Sequence, residues 1–116
     1  MALQHAVLFS FPAELSADEY REMRAQIAAW PQKIGGFNVL RFGEDMTGER
    51  TRGYSRLLYM EFDGVEQLHR YQQHPVHQQF HRWVHERGCT ALAFDYHIDD
   101  ETDLMRDRAS AMEGQR

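Results

Sequence analysis

Little in this sequence supports a disulfide scaffold, a membrane span or a nucleic-acid surface. There is a single cysteine, Cys89, so no intrachain disulfide can form and a reducing compartment is expected. Cys89 follows Gly88 without a flanking basic cluster, which suits a space-filling thiol better than a reactive one. No apolar run approaches the roughly 18 residues that a spanning helix needs, and the N-terminal stretch lacks the basic start of a signal peptide. A cytoplasmic location is the resulting expectation. Cationic surplus is also missing: thirteen Lys and Arg against eighteen Asp and Glu give a net charge of −5. That balance argues against nucleic acid and against anionic membranes as partners. Nucleotide-binding glycine motifs, nucleophile elbows and cysteine-rich zinc motifs do not occur either. These absences remove much common enzymology and leave proton transfer without a cofactor untouched.

What the sequence has in surplus is histidine, with seven residues in 116: His5, His69, His74, His77, His81, His85 and His97. Histidine titrates near neutral pH and commonly ligates metals, so the surplus calls for explanation. The length suits one domain, and 42% hydrophobic with 27% charged residues suits a packed globule.

The periodicities predict alternating strands and helices. Residues 3–11 (LQHAVLFSF) read as a strand in which Leu3, His5, Val7, Phe9 and Phe11 share a face. Ser16 and Glu19 form a capping box ahead of a helix whose apolar stripe runs Tyr20, Met23, Ile27, Trp30. Gly35-Gly36 turns into a strand at 37–42, and residues 43–53, with three glycines and five charges, read as a loop. A third strand is expected at 54–62. Asp63 and Glu66 suggest a second capping box, opening a helix that breaks at Pro75 and resumes through Phe80, Trp83 and Val84 to Gly88. A fourth strand is expected at 90–98. The domain is therefore assigned to residues 1–98, and 99–116, with six acidic and three basic residues, reads as an acidic, flexible tail.

The order β-α-β-β-α-β defines an α+β, ferredoxin-like subunit. Two helices cover one face of a four-stranded sheet. The third and fourth strands nonetheless carry apolar side chains on both faces: Leu92, Phe94, Tyr96 and Ile98 against Ala91 and Ala93, and Leu58, Met60 and Phe62 against Leu57 and Tyr59. A second copy packed sheet to sheet, giving a homodimer, is the economical cover.

The densest chemical signal is YQQHPVHQQF at 71–80. Tyr71, His74 and His77 recur at three-residue spacing across the proline break, where a histidine and a tyrosine could move one proton and hold one oxyanion. The bland alternative has Tyr71 packing and the histidines capping the broken helix. His77, His81 and His85 have metal-ligand spacing, but on a helical wheel His81 turns away from the apolar direction and His85 lies nearly opposite it. No metal site is assigned, and His81, His85, His69 and His97 read as ordinary surface residues. His5 points into apolar surroundings, where most histidines are hydrogen-bonded core residues. Arg56, also bracketed by apolar neighbours, could hold a ligand carboxylate or phenolate if it shares a cavity with His5.

Taken together, HAVLFSF, RFGED, GYSRLLYMEF leading into DGVEQL, the HPVHQQF block and the closing FDYHI resemble the stress-responsive A/B barrel (Dabb) family over about residues 3–98. The resemblance implies a dimeric α+β barrel built from ferredoxin-like subunits. Through the family's plant polyketide cyclase it further implies cofactor-free chemistry, with His77 as general base, Tyr71 as its polar partner, His74 as a nearby structural or polarising residue and His5 in the pocket. Arg56 stands where that cyclase has a histidine, which changes pocket volume and favours an anionic ligand. The expected function is binding of a small carbonyl, phenolic or carboxylic compound with aldol cyclisation, isomerisation or decarboxylation. A non-catalytic stress-responsive or ligand-binding protein is the alternative.

Overall fold

A computed structural model describes residues 1–105, so residues 106–116, most of the expected acidic tail, lie outside the described residues. Four strands, β1 (Leu3–Ser10), β2 (Phe37–Glu44), β3 (Arg56–Phe62) and β4 (Thr90–His97), are interleaved with helices, β3 following β2 directly. The helices are α1 (Ala17–Ala28), the single turn α2 (Trp30–Lys33), α3 (Val65–Gln73) and α4 (Pro75–Glu86). The sheet has the order β2-β3-β1-β4, and every neighbouring pair is antiparallel. This is the α+β, ferredoxin-like arrangement expected from the strand and helix order.

The helix boundaries follow from local chemistry. Ser16 caps α1 by the reciprocal box: its hydroxyl accepts from the Glu19 N–H (3.1 Å), and the Glu19 carboxylate accepts from the Ser16 N–H (3.0 Å). The second box expected at Asp63 does not form. Gly64, in an extended conformation, precedes α3 without a side-chain cap, and the Asp63 carboxylate accepts instead from Asn38 Nδ2 on the neighbouring strand (2.7 Å). The break at Pro75 is real. His74 adopts ψ 136°, as a residue before proline prefers, and its Nδ1 accepts from the Val76 N–H (3.1 Å), making it the N-cap of α4.

Alternation on the strands sorts the side chains into two faces. Leu58, Met60 and Phe62 of β3 and Leu3 and Phe9 of β1 meet Met23, Ile27, Trp30, Leu68, Tyr71, Phe80 and Val84 from the helices. A bulge between Phe37 and Val39 changes the phase of β2, so that Phe37, Leu40 and Phe42 all reach this core despite their odd spacing. The opposite face carries Leu8, Leu57, Leu92, Phe94 and Tyr96, all exposed, with Phe94 at 69%. That is the uncovered apolar sheet face the strand pattern anticipates. No helix among the described residues is long and apolar enough to cross a membrane.

β4 is the unusual strand, because all eight of its residues are exposed. Its helix-facing positions pair with Phe9, Val7, His5 and Leu3 of β1 and hold Ala91, Ala93, Asp95 and His97. With two methyl groups and two polar side chains to offer, this side gives α4 little to pack against. A gap therefore opens between α4 and the β1–β4 edge.

Candidate functional site

That gap is a cavity of about 110 Å³. Val7, Phe9, Leu58, Phe80 and Val84 supply its apolar walls, and its polar groups are His5, Tyr71, His77, His81 and His85. An engineered cavity of roughly 150 Å³ accepts benzene, so this space is on the scale of one ring or a short alkyl chain.

His77 is oriented by the helix break. In an uninterrupted helix the Gln72 carbonyl would accept from the Val76 N–H, but that donor is taken by His74 and Pro75 has none to give. The freed carbonyl accepts from His77 Nδ1 at 3.1 Å. A carbonyl only accepts, so the proton is fixed on Nδ1 and Nε2 keeps its lone pair. Burial holds the His77 pKa below the ordinary histidine value, and the neighbouring His81 and His5 push in the same direction, against the opposing Gln72 hydrogen bond. A neutral imidazole with a free Nε2 has the properties of a general base.

Tyr71 lies against His77 with ring centroids 4.3 Å apart. The Tyr71 residue is 2% exposed, and burial raises its phenol well above the ordinary range, so it remains a proton donor at neutral pH. His5 meets Tyr71 edge-on at 6.1 Å. The Nδ1 of His5 is hydrogen-bonded to the Asp95 carboxylate across the β1–β4 pair, where the two residues are direct partners. The carboxylate fixes the His5 tautomer and leaves its Nε2 as the second nitrogen. Asp95 carries no signal of its own in the sequence; the Asp of FDYHI stands on an exposed strand, and the β1–β4 register brings it to His5.

The remaining candidates fall elsewhere. His74 is part of the helix break and does not line the cavity. Arg56 is not at the cavity either. It faces the helices as His5 does, but it pairs with Phe9, four residues along β1 from His5, which is about 13 Å at strand spacing. There its guanidinium lies 3.7 Å from the centre of the Tyr20 ring, donates to the Ser55 carbonyl (3.1 Å) and approaches Glu44 at 3.6 Å. Among the described residues no cavity is lined by both His5 and Arg56; Arg56 instead lines open grooves beside Tyr20 and beside Tyr54. Conversely, His81 and His85, read as surface residues, are exposed but stand at the mouth of the cavity. The apolar direction of α4 is not its only enclosed side, because the cavity lies on the flank of the helix that β4 fails to cover. Cys89 also lines the cavity, and burial raises its thiol pKa, consistent with a filler rather than a nucleophile. Among the described residues, no three His, Cys, Asp or Glu side chains converge closely enough to hold a metal ion.

Comparison with known proteins bears on the architecture. No curated protein matches the chain in sequence. A dimeric ferredoxin-like protein of unknown function from Bacteroides fragilis has a similar structure (TM-score 0.71, 23% identity, 84% of this chain and 96% of that one). The hydroxynitrile lyase of Passiflora edulis superposes with a TM-score of 0.75 at 16% identity, over 85% of this chain and 94% of the lyase. SnoaB, a cofactor-independent oxygenase from Streptomyces nogalater, does so at 0.65 and 12% identity, over 84% and 92%. At these identities the likeness establishes a shared fold. The sequence profile of the Stress Responsive A/B Barrel Domain family matches residues 3–98, and the chain belongs to that family.

Proposed function

We propose that this protein binds a small carbonyl, phenolic or carboxylic compound in the α4–β1 cavity and catalyses cofactor-free acid–base chemistry on it. The observation that carries the reading is the state of His77, whose Nδ1–H is committed to the Gln72 carbonyl and whose pKa is lowered by burial beside a protonated phenol. In this reading His77 Nε2 removes a proton next to a carbonyl or from a hydroxyl. Tyr71 donates to the oxygen on which negative charge develops, and His5, oriented by Asp95, supplies a second polar contact. Aldol cyclisation and isomerisation contain such a step, and decarboxylation, in which CO2 leaves and the carbon then takes up a proton, passes through the same kind of enolate oxygen that Tyr71 would hold. Two proteins of similar fold, a hydroxynitrile lyase and a cofactor-independent oxygenase, support this breadth by what their names record. The working unit is a homodimer joined through the apolar sheet face, as several proteins of this fold are described as dimeric.

The assay is deuterium exchange at the α-carbon of phenylacetone, followed by NMR in D2O without added cofactor. The protein should accelerate exchange above buffer, and His77→Gln should remove roughly 10²–10⁴-fold of that acceleration. No acceleration, or an unchanged rate in His77→Gln, would overturn the assignment.

A further inference from the structure

The mouth of the cavity is lined on one side by a histidine ladder whose outer two members, His81 and His85, the proton-transfer chemistry does not use. His77, His81 and His85 follow one another at successive turns of α4, with ring centroids 6.5 Å apart for the first pair and 6.2 Å for the second. The His81 and His85 rings are stacked, only 7° from parallel, and both side chains are exposed. No carboxylate, lysine or arginine is among the residues lining this cavity. The Asp95 carboxylate, on the β4 side, is already engaged by His5. Arg82, the residue after His81, lines the adjoining shallow groove together with His77 and His81, and brings a permanent positive charge to that side. Below the rim the walls are aliphatic and aromatic.

An apolar chamber on the scale of one ring, edged on the α4 side by imidazole donors next to a guanidinium, with the nearby Asp95 carboxylate engaged by His5, matches an amphipathic anion. The apolar end would fill the chamber and the anionic end would stay at the mouth. Resting on the ligand-binding reading above, we infer that His81 and His85 are specificity-determining residues that select substrates carrying a carboxylate or phenolate, holding that group at the cavity mouth. Each imidazole carries at least one ring N–H donor, so the rim can hold an anion by hydrogen bonds. An anion held there also offsets the repulsion that a charged His81 exerts on protonated His77, one turn away. The titratable and charged groups around the rim are His77 and Arg82 on α4, His5 on β1, Asp95 on β4 and Cys89 after α4.

The test compares phenylacetate with phenylacetamide, nearly the same in shape but neutral, by NMR titration at pH 6.5. Wild type should bind the carboxylate at least tenfold more tightly than the amide. The double variant His81→Gln/His85→Gln, in which both positions lie on the exposed flank of α4, should bind the amide as wild type does and lose the preference. Amide binding without a carboxylate preference, or a preference that survives in the double variant, would overturn the rim assignment while leaving the cavity as a ligand site. Failure of both probes to perturb cavity resonances would remove the ligand-binding reading as well.

Discussion

Replacing His74 with alanine separates a structural from a chemical role for the HPVH block. The imidazole accepts from the Val76 N–H at 3.1 Å and is the side-chain N-cap of α4. Loss of an N-cap typically costs about 1 kcal/mol. Unfolding entropy of roughly 2.1 cal/mol/K per residue over the ~105 described residues gives ~0.2 kcal/mol/K, so Tm should fall by about 5 °C. Because Pro75 still imposes extended backbone on residue 74, Val76 cannot swing back onto the Gln72 carbonyl, and His77 keeps its Nδ1 proton. His74→Asn, which restores a side-chain acceptor of a preferred capping type, should recover most of the stability. Thermal melts measure the first effect, and long-range ¹H–¹⁵N spectra of the imidazoles measure the second. An unchanged Tm in His74→Ala would refute the capping argument. A change of His77 tautomer in that variant would show that the His74 cap, rather than the proline break, keeps the Val76 N–H off the Gln72 carbonyl.

Three other outcomes follow from the same geometry. Asp95→Asn should leave the fold intact but loosen the His5 tautomer, seen as mixed Nδ1 and Nε2 protonation by ¹⁵N chemical shift; a single unchanged tautomer would show that the carboxylate does not set it. Gly88→Ala should lower Tm by several degrees, since residue 88 has φ +74° and an added Cβ would lie 2.9 Å from Pro12 Cγ. An unshifted melt would contradict the close approach of Pro12 to that turn. Because the folded pKa of His77 lies below the ordinary histidine value, the unfolded chain binds more protons as pH falls through that region. Stability is then greater above the ordinary value and declines as pH drops through the folded pKa, and His77→Gln should flatten that part of a denaturation-versus-pH profile.

The sheet face opposite the helices gives the sharpest case of sequence legibility. Alternation in β3 and β4 separates Leu57 from Leu58 and Met60, and Leu92, Phe94 and Tyr96 from Ala91 and Ala93, because the side-chain period of a strand is two; which of the two faces the helices cover is fixed only by the pairing with β1. The capping box at Ser16 and the break at Pro75 are equally local, so each could be read from four residues or fewer. Phe94→Glu would place a charge in the middle of the exposed apolar row Leu92, Phe94, Tyr96 on the edge strand β4. In size-exclusion chromatography with light scattering it should convert a dimer to monomer, whereas a dimer that survives would point to a different interface.

The site was legible only as far as direction along an element decides function. His5, Tyr71 and His77 point inward by periodicity, and the structure brings all three to one cavity. Arg56 also points inward, and direction alone cannot distinguish it from His5. What separates them is position along the strand, four pairs apart, which is a property of the β1–β3 register. Asp95 shows the converse: it is invisible on its own strand and becomes significant only because the β1–β4 register pairs it with a buried histidine. His81 and His85 escape the wheel for a third reason. A wheel assumes that one flat surface covers the helix, but β4 presents alanines and leaves the flank of α4 open, so side chains far from the apolar direction reach the cavity mouth. The depth of this site therefore depends on residues on helix faces and strand faces, while its edge depends on where packing stops. A sequence read one element at a time encodes the first directly and the second only through the small side chains of the neighbouring strand. Ala91 and Ala93 are the residues through which the open flank is written into this chain, and enlarging either should narrow the mouth while leaving the His77–Tyr71 pair in place.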